Sequence, residues 1–348
     1  MPHPHLTRVL VTVASGTLGY VLIVFGQQRA PAGRDSMRKV IVSGGNGFIG
    51  SSLILSLLAK GIEVHAIVNE NHQRLDAILP GECIHVLRDG IGSVVEIVTR
   101  VVPDAIFHLA AVYAEPVSSG SVLRMIDGNL TLGACLLFAV VQCSPQPVFI
   151  NTGTYWQFDP NSTYSPNTLY AATKHAFQDI LLFYRERRGV RSVTLVLYDT
   201  FGENDTRPKI WHRITNAIPG EALRLSPGDQ TIHLIHIDDT VGAFFQAAEL
   251  LHEHSAMEPL YSLSSTSPVK LRTLVEELNA KGNLKLDLRW GAAPYWEGQV
   301  LVPWVGKALP GWNPEVEILP ALLSMAAARK RSSDALTVGA NKAGGPPS

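Results

Sequence analysis

Short apolar strands alternating with longer helical stretches predict a doubly wound α/β fold. Such a fold is a parallel sheet with helices on both faces, here with a small C-terminal domain attached. Three observations carry this expectation. The strand–helix alternation runs without a break from Lys39 to Tyr198. A glycine-rich loop, Ser43-Gly44-Gly45-Asn46-Gly47-Phe48-Ile49-Gly50, follows the first strand and opens the first helix. The composition is that of a globular chain: 348 residues, 46% apolar and 17% charged, which excludes a disordered chain or a coiled coil. At roughly 100–200 residues per domain the length implies about two domains.

The elements follow in order. Apolar runs at 39–43, 63–68, 84–87, 105–109, 147–151 and 192–198 are the strands. The stretches 50–60, 94–101, 129–141 and 169–188 are helical. Beyond Thr200 the regularity weakens, and Pro, Trp and short apolar runs take over. Residues 37–199 plus 232–261 form the sheet domain, with 232–251 returning to the sheet. Residues 200–231 plus 262–325 form the smaller one. From 326 to 348 the chain is rich in Gly, Pro, Ser and Lys and is expected to be a disordered tail.

Residues 1–36 form an extension. Its apolar stretch 9–25 is 17 residues long, short of the ~20 that a spanning helix needs. No small-residue cleavage site follows it, so neither a membrane span nor an export signal is expected. Either Met37, just before the first convincing strand, is the expected natural start, or residues 1–36 are a loosely packed extension.

Charge and cysteine content exclude whole classes. Lys plus Arg is 29 and Asp plus Glu is 30, a formal net charge of −1. A nucleic-acid binder carries a basic excess that this chain lacks. Cys83, Cys135 and Cys143 are odd in number and lack CxxC spacing, which argues against a disulfide framework or a zinc site. A reducing, cytoplasmic setting is expected. No metal is expected, and His252 and His254 lack partners for one.

The glycine loop carries the first functional reading. Gly44 allows a tight turn, Gly47 lets backbone approach a pyrophosphate, and Gly50 allows close helix–strand packing. The amides of Phe48, Ile49 and Gly50 then face the phosphates from the positive end of the helix dipole. An NAD site wants an acid about 20 residues on, at the end of the second strand. Val68 and Asn69 occupy that place, and Glu70 comes one step late. Without a carboxylate nothing repels a 2′-phosphate; Asn69 can hydrogen-bond it and Arg74 can neutralise it. NADP(H) is therefore favoured over NAD(H). The alternative is that Glu70 reaches back for NAD. Asp89 and Gly90 close the third strand, where Asp89 can accept from an adenine amino group or simply serve a turn.

Tyr170-Ala-Ala-Thr-Lys174 carries the second reading. The spacing puts both side chains on one helical face. A phenol of pKa about 10 is a poor base at neutral pH. An adjacent ammonium, with an oxidised nicotinamide ring, lowers that value and lets Tyr170 exchange a proton with a substrate hydroxyl. Asn151-Thr152-Gly153-Thr154 lies at the end of the fifth strand and brings hydroxyls to the same crevice.

The segments SGGNGFIG (43–50), DAIFHLAA (104–111), NTGTYW (151–156), YAATK (170–174), LYDTFG (197–202) and HIDD (236–239) together resemble the extended short-chain dehydrogenase/reductase family. Within it they resemble the NAD-dependent epimerase/dehydratase group. VNENHQRLD and YSPNTLYAATK are most similar to reductases and epimerases of nucleotide-linked 4-keto-6-deoxyhexoses, the CDP-abequose and CDP-paratose synthase type. The resemblance spans residues 38–320. It implies a Rossmann-type domain, a catalytic set of Thr152, Tyr170 and Lys174, and Leu109, Ala110 and Ala111 along the dinucleotide. It selects Thr152 over Thr154, leaving Thr154 as a substrate contact. It also implies a structural or proton-relay role for Asn129 and a dimer paired through the helices at 129–141 and 169–188. His108 matches a family position, but a packed strand histidine is the expected role.

The departures bear on the reaction. Dehydratases of the group place an acidic pair directly after the catalytic Thr, where this chain has Gly153 and Thr154. Dehydration is therefore not expected. A substrate-contacting Asn of the family corresponds to Asp199, and an Arg before the seventh strand is missing from Gln230-Thr231-Ile232-His233. Arg207, Lys209 and Arg213 can supply charge for a diphosphate instead, or form a solvated basic loop. Trp290, Trp296, Trp304 and Trp312 can stack on a base or pack as core or lid. The expected function is 4-keto reduction of a nucleotide-linked sugar. A 4-epimerase with tightly held NAD is the alternative, and a non-catalytic dinucleotide sensor is a third reading.

Overall fold

The computed structural model describes residues 37–69, 72–87, 92–113, 118–161, 164–253 and 257–329. The extension 1–36, Glu70, Asp89, Gly90 and most of the expected tail lie outside the described residues.

In chain order the first half contains β1 (Lys39–Ser43), α1 (Phe48–Ala59), β2 (Glu63–Val68), α2 (Gln73–Asp76), β3 (Ile84–Val86), α3 (Gly92–Val101), β4 (Ala105–His108), α4 (Ser119–Ile126), α5 (Leu132–Val140), β5 (Val148–Thr154), α6 (Leu169–Arg188) and β6 (Ser192–Leu197). Then come β7 (Asp199–Phe201), α7 (Ile210–Asn216), β8 (Ala222–Arg224), β9 (Thr231–Ile232), β10 (Leu234–His236), α8 (Ile237–Glu253), β11 (Leu260–Ser262), β12 (Val269–Lys270), α9 (Leu271–Lys281) and β13 (Asp287–Arg289). A closing helix covers Ile318–Arg329.

Seven strands form one sheet in the order β11-β6-β5-β4-β1-β2-β3, and every pairing in it is parallel. The strand order reverses at β1, which has β2 on one side and β4 on the other. A crevice at such a reversal, beyond the carboxyl ends of the strands, is where doubly wound sheets take their ligands. The central strands are apolar throughout because both faces are covered. Val40 and Val42 of β1 pack with α1 and α8, while Ile41 packs on the other face with α3, α5 and α6. A separate cluster of Phe201, Trp211, Leu223, Leu234, Leu274, Leu278 and Met325 gathers the later segments.

Three sequence expectations change. The helix expected at 129–141 is the second half of a longer one: α4 runs into α5 through a π-helical turn over Asp127–Thr131. The strand expected at 147–151 continues to Thr154, so Thr152 and Thr154 belong to β5 itself. Residues 232–251 do not return to the main sheet as a strand. β10 pairs with β7 in a separate parallel pair, β9 pairs with β12, and the seventh strand of the main sheet is β11. What does return is α8, through the buried Val241, Phe244, Ala248 and Leu251.

Candidate active site

The glycine loop sits against the exit of β4. Gly44 has φ +76°, and a Cβ there would lie 2.6 Å from the Ala110 amide nitrogen. Only glycine fits both conditions. A Cβ on Gly50 would lie 2.2 Å from the Gly44 carbonyl oxygen, so α1 starts directly on the turn. Ser43 ties the two segments together. Its backbone carbonyl accepts from the Leu109 amide at 3.1 Å, and its Oγ lies 3.4 Å from the Ala110 amide and 2.7 Å from His108 Nδ1. The loop, Leu109 and Ala110 therefore line one wall, while Ala111 follows on the exposed side.

These residues fit a dinucleotide. Gly47 is the N-cap of helix α1, which has no side-chain cap and no acid in its first turn. Its leading amides and the positive dipole end are thus left for an anion. Asn46 Oδ1, in the same loop, is buried without a protein partner. Leu75 of α2 packs beside Gly45, which brings the short helix carrying Arg74 next to the loop. Asn69 is exposed just past β2.

His108 behaves as a packed strand histidine. It is fully buried, tilted 5.1 Å from the Phe177 ring, and burial holds its pKa down at about 3. The ring is neutral at any ordinary pH.

The catalytic candidates converge at the head of α6. Thr168 caps that helix by accepting from the Ala171 amide at 3.1 Å. Lys174 is 2% exposed, and its ammonium donates to Thr152 Oγ1 at 3.3 Å. Thr152 donates to the His108 carbonyl at 3.2 Å. A directed chain runs Lys174 to Thr152 to β4, so Thr152 must rotate before it can donate to a reacting oxygen. Burial brings the Lys174 pKa down to about 8, because an ammonium in a closed site has given up its hydration. The expected lowering of the Tyr170 pKa is not what the protein groups alone produce: burial pushes the phenol up to about 12. Thr154 is buried and accepts from the Trp156 amide at 3.4 Å.

Asn129 serves a structural role. From the π-helical turn it accepts from the Val112 amide at 2.7 Å and donates to the Val112 carbonyl at 3.0 Å and to Thr173 Oγ1 at 2.9 Å. It therefore joins the exit of β4 to α6, one residue from Lys174.

The charged residues expected near a diphosphate are engaged within the protein. Lys209 holds Asp199 at 3.0 Å, each about one third exposed. Arg207 makes two 2.7 Å bonds to the Asp205 carboxylate and one at 2.8 Å to the Thr200 carbonyl. Its guanidinium lies 4.7 Å from the centre of the Phe48 ring. Each of these two cations is thus paired with a carboxylate of its own loop or strand.

Sequence reasoning named Trp296 as a stacking candidate but passed over Tyr113 and Trp156 beside Tyr170. Tyr113 and Trp156 stand edge-on to its phenol, with centroids at 5.6 and 6.4 Å, and Trp296 lies 5.4 Å from Trp156. The signal available was Trp156 itself, two residues after Thr154 in NTGTYW. The other tryptophans pack: Trp304 and Trp312 are buried, and Trp290 lies under Arg272.

Comparison with known proteins agrees with this arrangement. The chain is 32% identical over 208 residues to a CDP-abequose synthase of Yersinia pseudotuberculosis, covering 59% of this chain and 71% of that one. It is 26% identical over 218 residues to the CDP-abequose synthase of Salmonella typhimurium, covering 60% and 70%. Its fold resembles the UDP-glucose 4-epimerase of Thermus thermophilus, solved with NAD, at TM-score 0.67 and 21% identity over 84% of this chain and 99% of that one. It also resembles the UDP-N-acetylglucosamine 4-epimerase of Methanobrevibacter ruminantium, at TM-score 0.71 and 19% identity over 85% and 99%. Residues 40–258 match the NAD dependent epimerase/dehydratase family. With the glycine loop against β4 and the Tyr170/Lys174 pair at the head of α6, the chain belongs to that NAD-dependent epimerase/dehydratase family.

Proposed function

We propose that the protein reduces the 4-keto group of a nucleotide-linked sugar, with Tyr170 as the acid. The observation that carries this reading is the buried Lys174 bonded to Thr152 at 3.3 Å, with the half-buried Tyr170 one turn earlier on the same helix. Similarity to CDP-abequose synthases supports the substrate class.

The glycine loop, Leu109 and Ala110 would hold a nicotinamide dinucleotide, which would supply hydride chemistry there. A phenol held protonated by burial is suited to donate as negative charge builds on the sugar oxygen. Lys174 places positive charge beneath the reacting oxygen and keeps Thr152 oriented. The lack of an acid at Val68 and Asn69 supports NADP(H), with Arg74 on α2 as counter-charge to a 2′-phosphate.

Dehydration does not fit this site. Gly153 stands where a catalytic acid is needed, and a Cβ there would meet Gln157 Oε1 and Thr194 Cγ2, both at 3.0 Å. Exposed Leu123, Ile126 and Phe138 on α4 and α5, with Leu182 and Phe183 on α6, support a homodimer paired through these helices.

The test is nicotinamide absorbance. NADPH and NADH are offered separately with CDP-, TDP-, UDP- and GDP-linked 4-keto-6-deoxy sugars. Consumption of NADPH with one sugar is expected. Tyr170→Phe should lower that turnover by about 10²–10⁴-fold and leave cofactor binding intact. Tightly bound NAD with no net consumption, and interconversion of the reduced nucleotide sugars, would replace reduction by 4-epimerisation.

A further inference from the structure

Gln157 is a fully buried amide between β5 and α6. It ends the short helical turn Tyr155–Gln157 that follows β5. Its Oε1 accepts from the Thr154 amide at 2.8 Å, and a Cβ on Gly153 would lie 3.0 Å from that oxygen. Its Nε2 lies 3.4 Å from Nδ1 of His175, the residue after Lys174 on α6. One side chain therefore spans from the strand that carries Thr152 to the helix that carries Lys174. Thr152 and Lys174 themselves meet at 3.3 Å.

The direction of these bonds is fixed by chemistry. A backbone amide only donates, so the carboxamide oxygen must face Thr154. The carboxamide nitrogen then faces His175, and it too only donates. Nδ1 of His175 must therefore accept, which makes the ring neutral with its proton on Nε2. A proton on Nδ1 would set two donors against each other. Turning the carboxamide over would satisfy the charged ring but set its nitrogen against the Thr154 amide. Once His175 is charged, Gln157 has no orientation that suits both partners.

The surroundings hold the imidazole in place and uncharged. Tyr164 stacks on it at 3.8 Å, and Phe158 stands edge-on at 5.8 Å. Phe158 and Tyr164 bridge to each other, and the Ser165 amide donates to the Gln157 carbonyl at 3.1 Å, which ties Tyr164 to the same turn. Among the described residues the charged group that acts on the ring is Asp179, one turn further along α6, and it favours the imidazolium. Burial outweighs it and holds the histidine below its ordinary value.

Resting on the reductase reading above, we propose that Gln157 is a positioning residue for the reaction: it holds the end of β5 to α6, and so Thr152 against Lys174, only while His175 is unprotonated. A displacement of about 1 Å at a site of this kind costs up to about 10²-fold in rate.

The experiment joins a pH profile of kcat and KM, on the nucleotide sugar accepted in the NADPH assay above, to an NMR titration of the histidine rings of the full chain. His175 is identified by the resonance lost in His175→Phe. Wild-type kcat should fall only below about pH 6.5, the ordinary histidine value, with KM unchanged. Gln157→Met should lower kcat by roughly 10–100-fold, flatten that fall and raise the His175 midpoint. Gln157→Glu is nearly isosteric and can share a proton with His175 while still accepting from Thr154. It should recover most of the rate at low pH and lose it as pH rises, which reverses the wild-type slope. Cofactor affinity equal to that of the wild type certifies the fold of each variant. Where Gln157→Met fails to fold, the slope in Gln157→Glu decides. A His175 midpoint indifferent to Gln157→Met, or pH profiles of one shape in every folded variant, overturns the positioning role and leaves the reductase reading standing. No turnover of any sugar by the wild type overturns that reading and the positioning role with it, whatever the midpoint does.

Discussion

Lys174 and Tyr170 pull stability in opposite directions as pH rises. Burial holds the lysine down at about 8, whereas an unfolded lysine titrates near 10.4. Between about pH 8 and 10 the unfolded chain binds the extra proton, so stability rises with pH across that window. The phenol is pushed up to about 12. Above about pH 10 the unfolded chain has shed a proton that the folded chain keeps, and stability falls. Urea midpoints of the wild type should therefore climb from pH 8 and turn over near pH 10. Lys174→Met should abolish the climb and raise stability at pH 7 by about 0.5–2 kcal/mol, as removal of a functional strain often does. A wild-type profile that is flat from pH 8 to 10 contradicts this account. The pair was legible in the sequence because four residues make one helical turn. The hydrogen bond from Lys174 to Thr152 was not, since it depends on how far β5 continues. The engagement of Arg207 by Asp205 was hidden for a different reason. Both lie in a loop, where side chains two residues apart meet only if the backbone turns.

Among the elements, the π-helical turn between α4 and α5 matters most to the site. It aims Asn129 inward, where three hydrogen bonds hold Val112 and Thr173. Asn129→Ala would leave the amide and carbonyl of Val112 without these partners. A loss of about 1–3 kcal/mol is expected, read from urea unfolding. Cofactor affinity should weaken as well, because the exit of β4 carries Ala110 against Gly44. Unchanged stability and cofactor affinity would show that water takes over the role of the amide. β1, β2 and α6 could be placed from sequence to the residue, since apolar strands between turn residues and a capped amphipathic helix leave little choice. The first half of the α4–α5 helix could not. Its Ser-Gly-Ser start looks like a loop, and only the reciprocal Ser118/Ser121 cap makes it helical. β10 was misplaced because a three-residue apolar strand does not say which partner it will choose.

For the whole molecule, large apolar side chains stand exposed on the paired helices α5 and α6. Phe138 is 51% exposed and Phe183 49%, with Leu182 beside them. Two copies joined through α5 and α6 would cover these side chains. Light scattering should report a dimer, and Phe183→Glu with Leu182→Glu should yield a monomer that still binds cofactor. A wild-type monomer at micromolar concentration rules this pairing out. The doubly wound architecture was evident from alternation alone. The second cluster, around Phe201, Trp211 and Leu278, was not, because it collects short segments from distant parts of the chain.

Gly153 also bears on where this chain can go next. If relatives that expel water and relatives that only move hydride differ by a few residues, a lineage could in principle cross between them one substitution at a time. Here the space beside Gly153 is already taken by Gln157, Thr194 and Val196. A side chain introduced there requires these neighbours to give by a few tenths of an ångström. Gln157 is in turn fully buried and accepts from the Thr154 amide at 2.8 Å, so it is not cheaply given up. On the reductase reading proposed above, a first step toward water elimination at this position must displace packed neighbours before it gains chemistry. The packing of one strand therefore acts as a historical ratchet: it narrows what descendants of this protein can become.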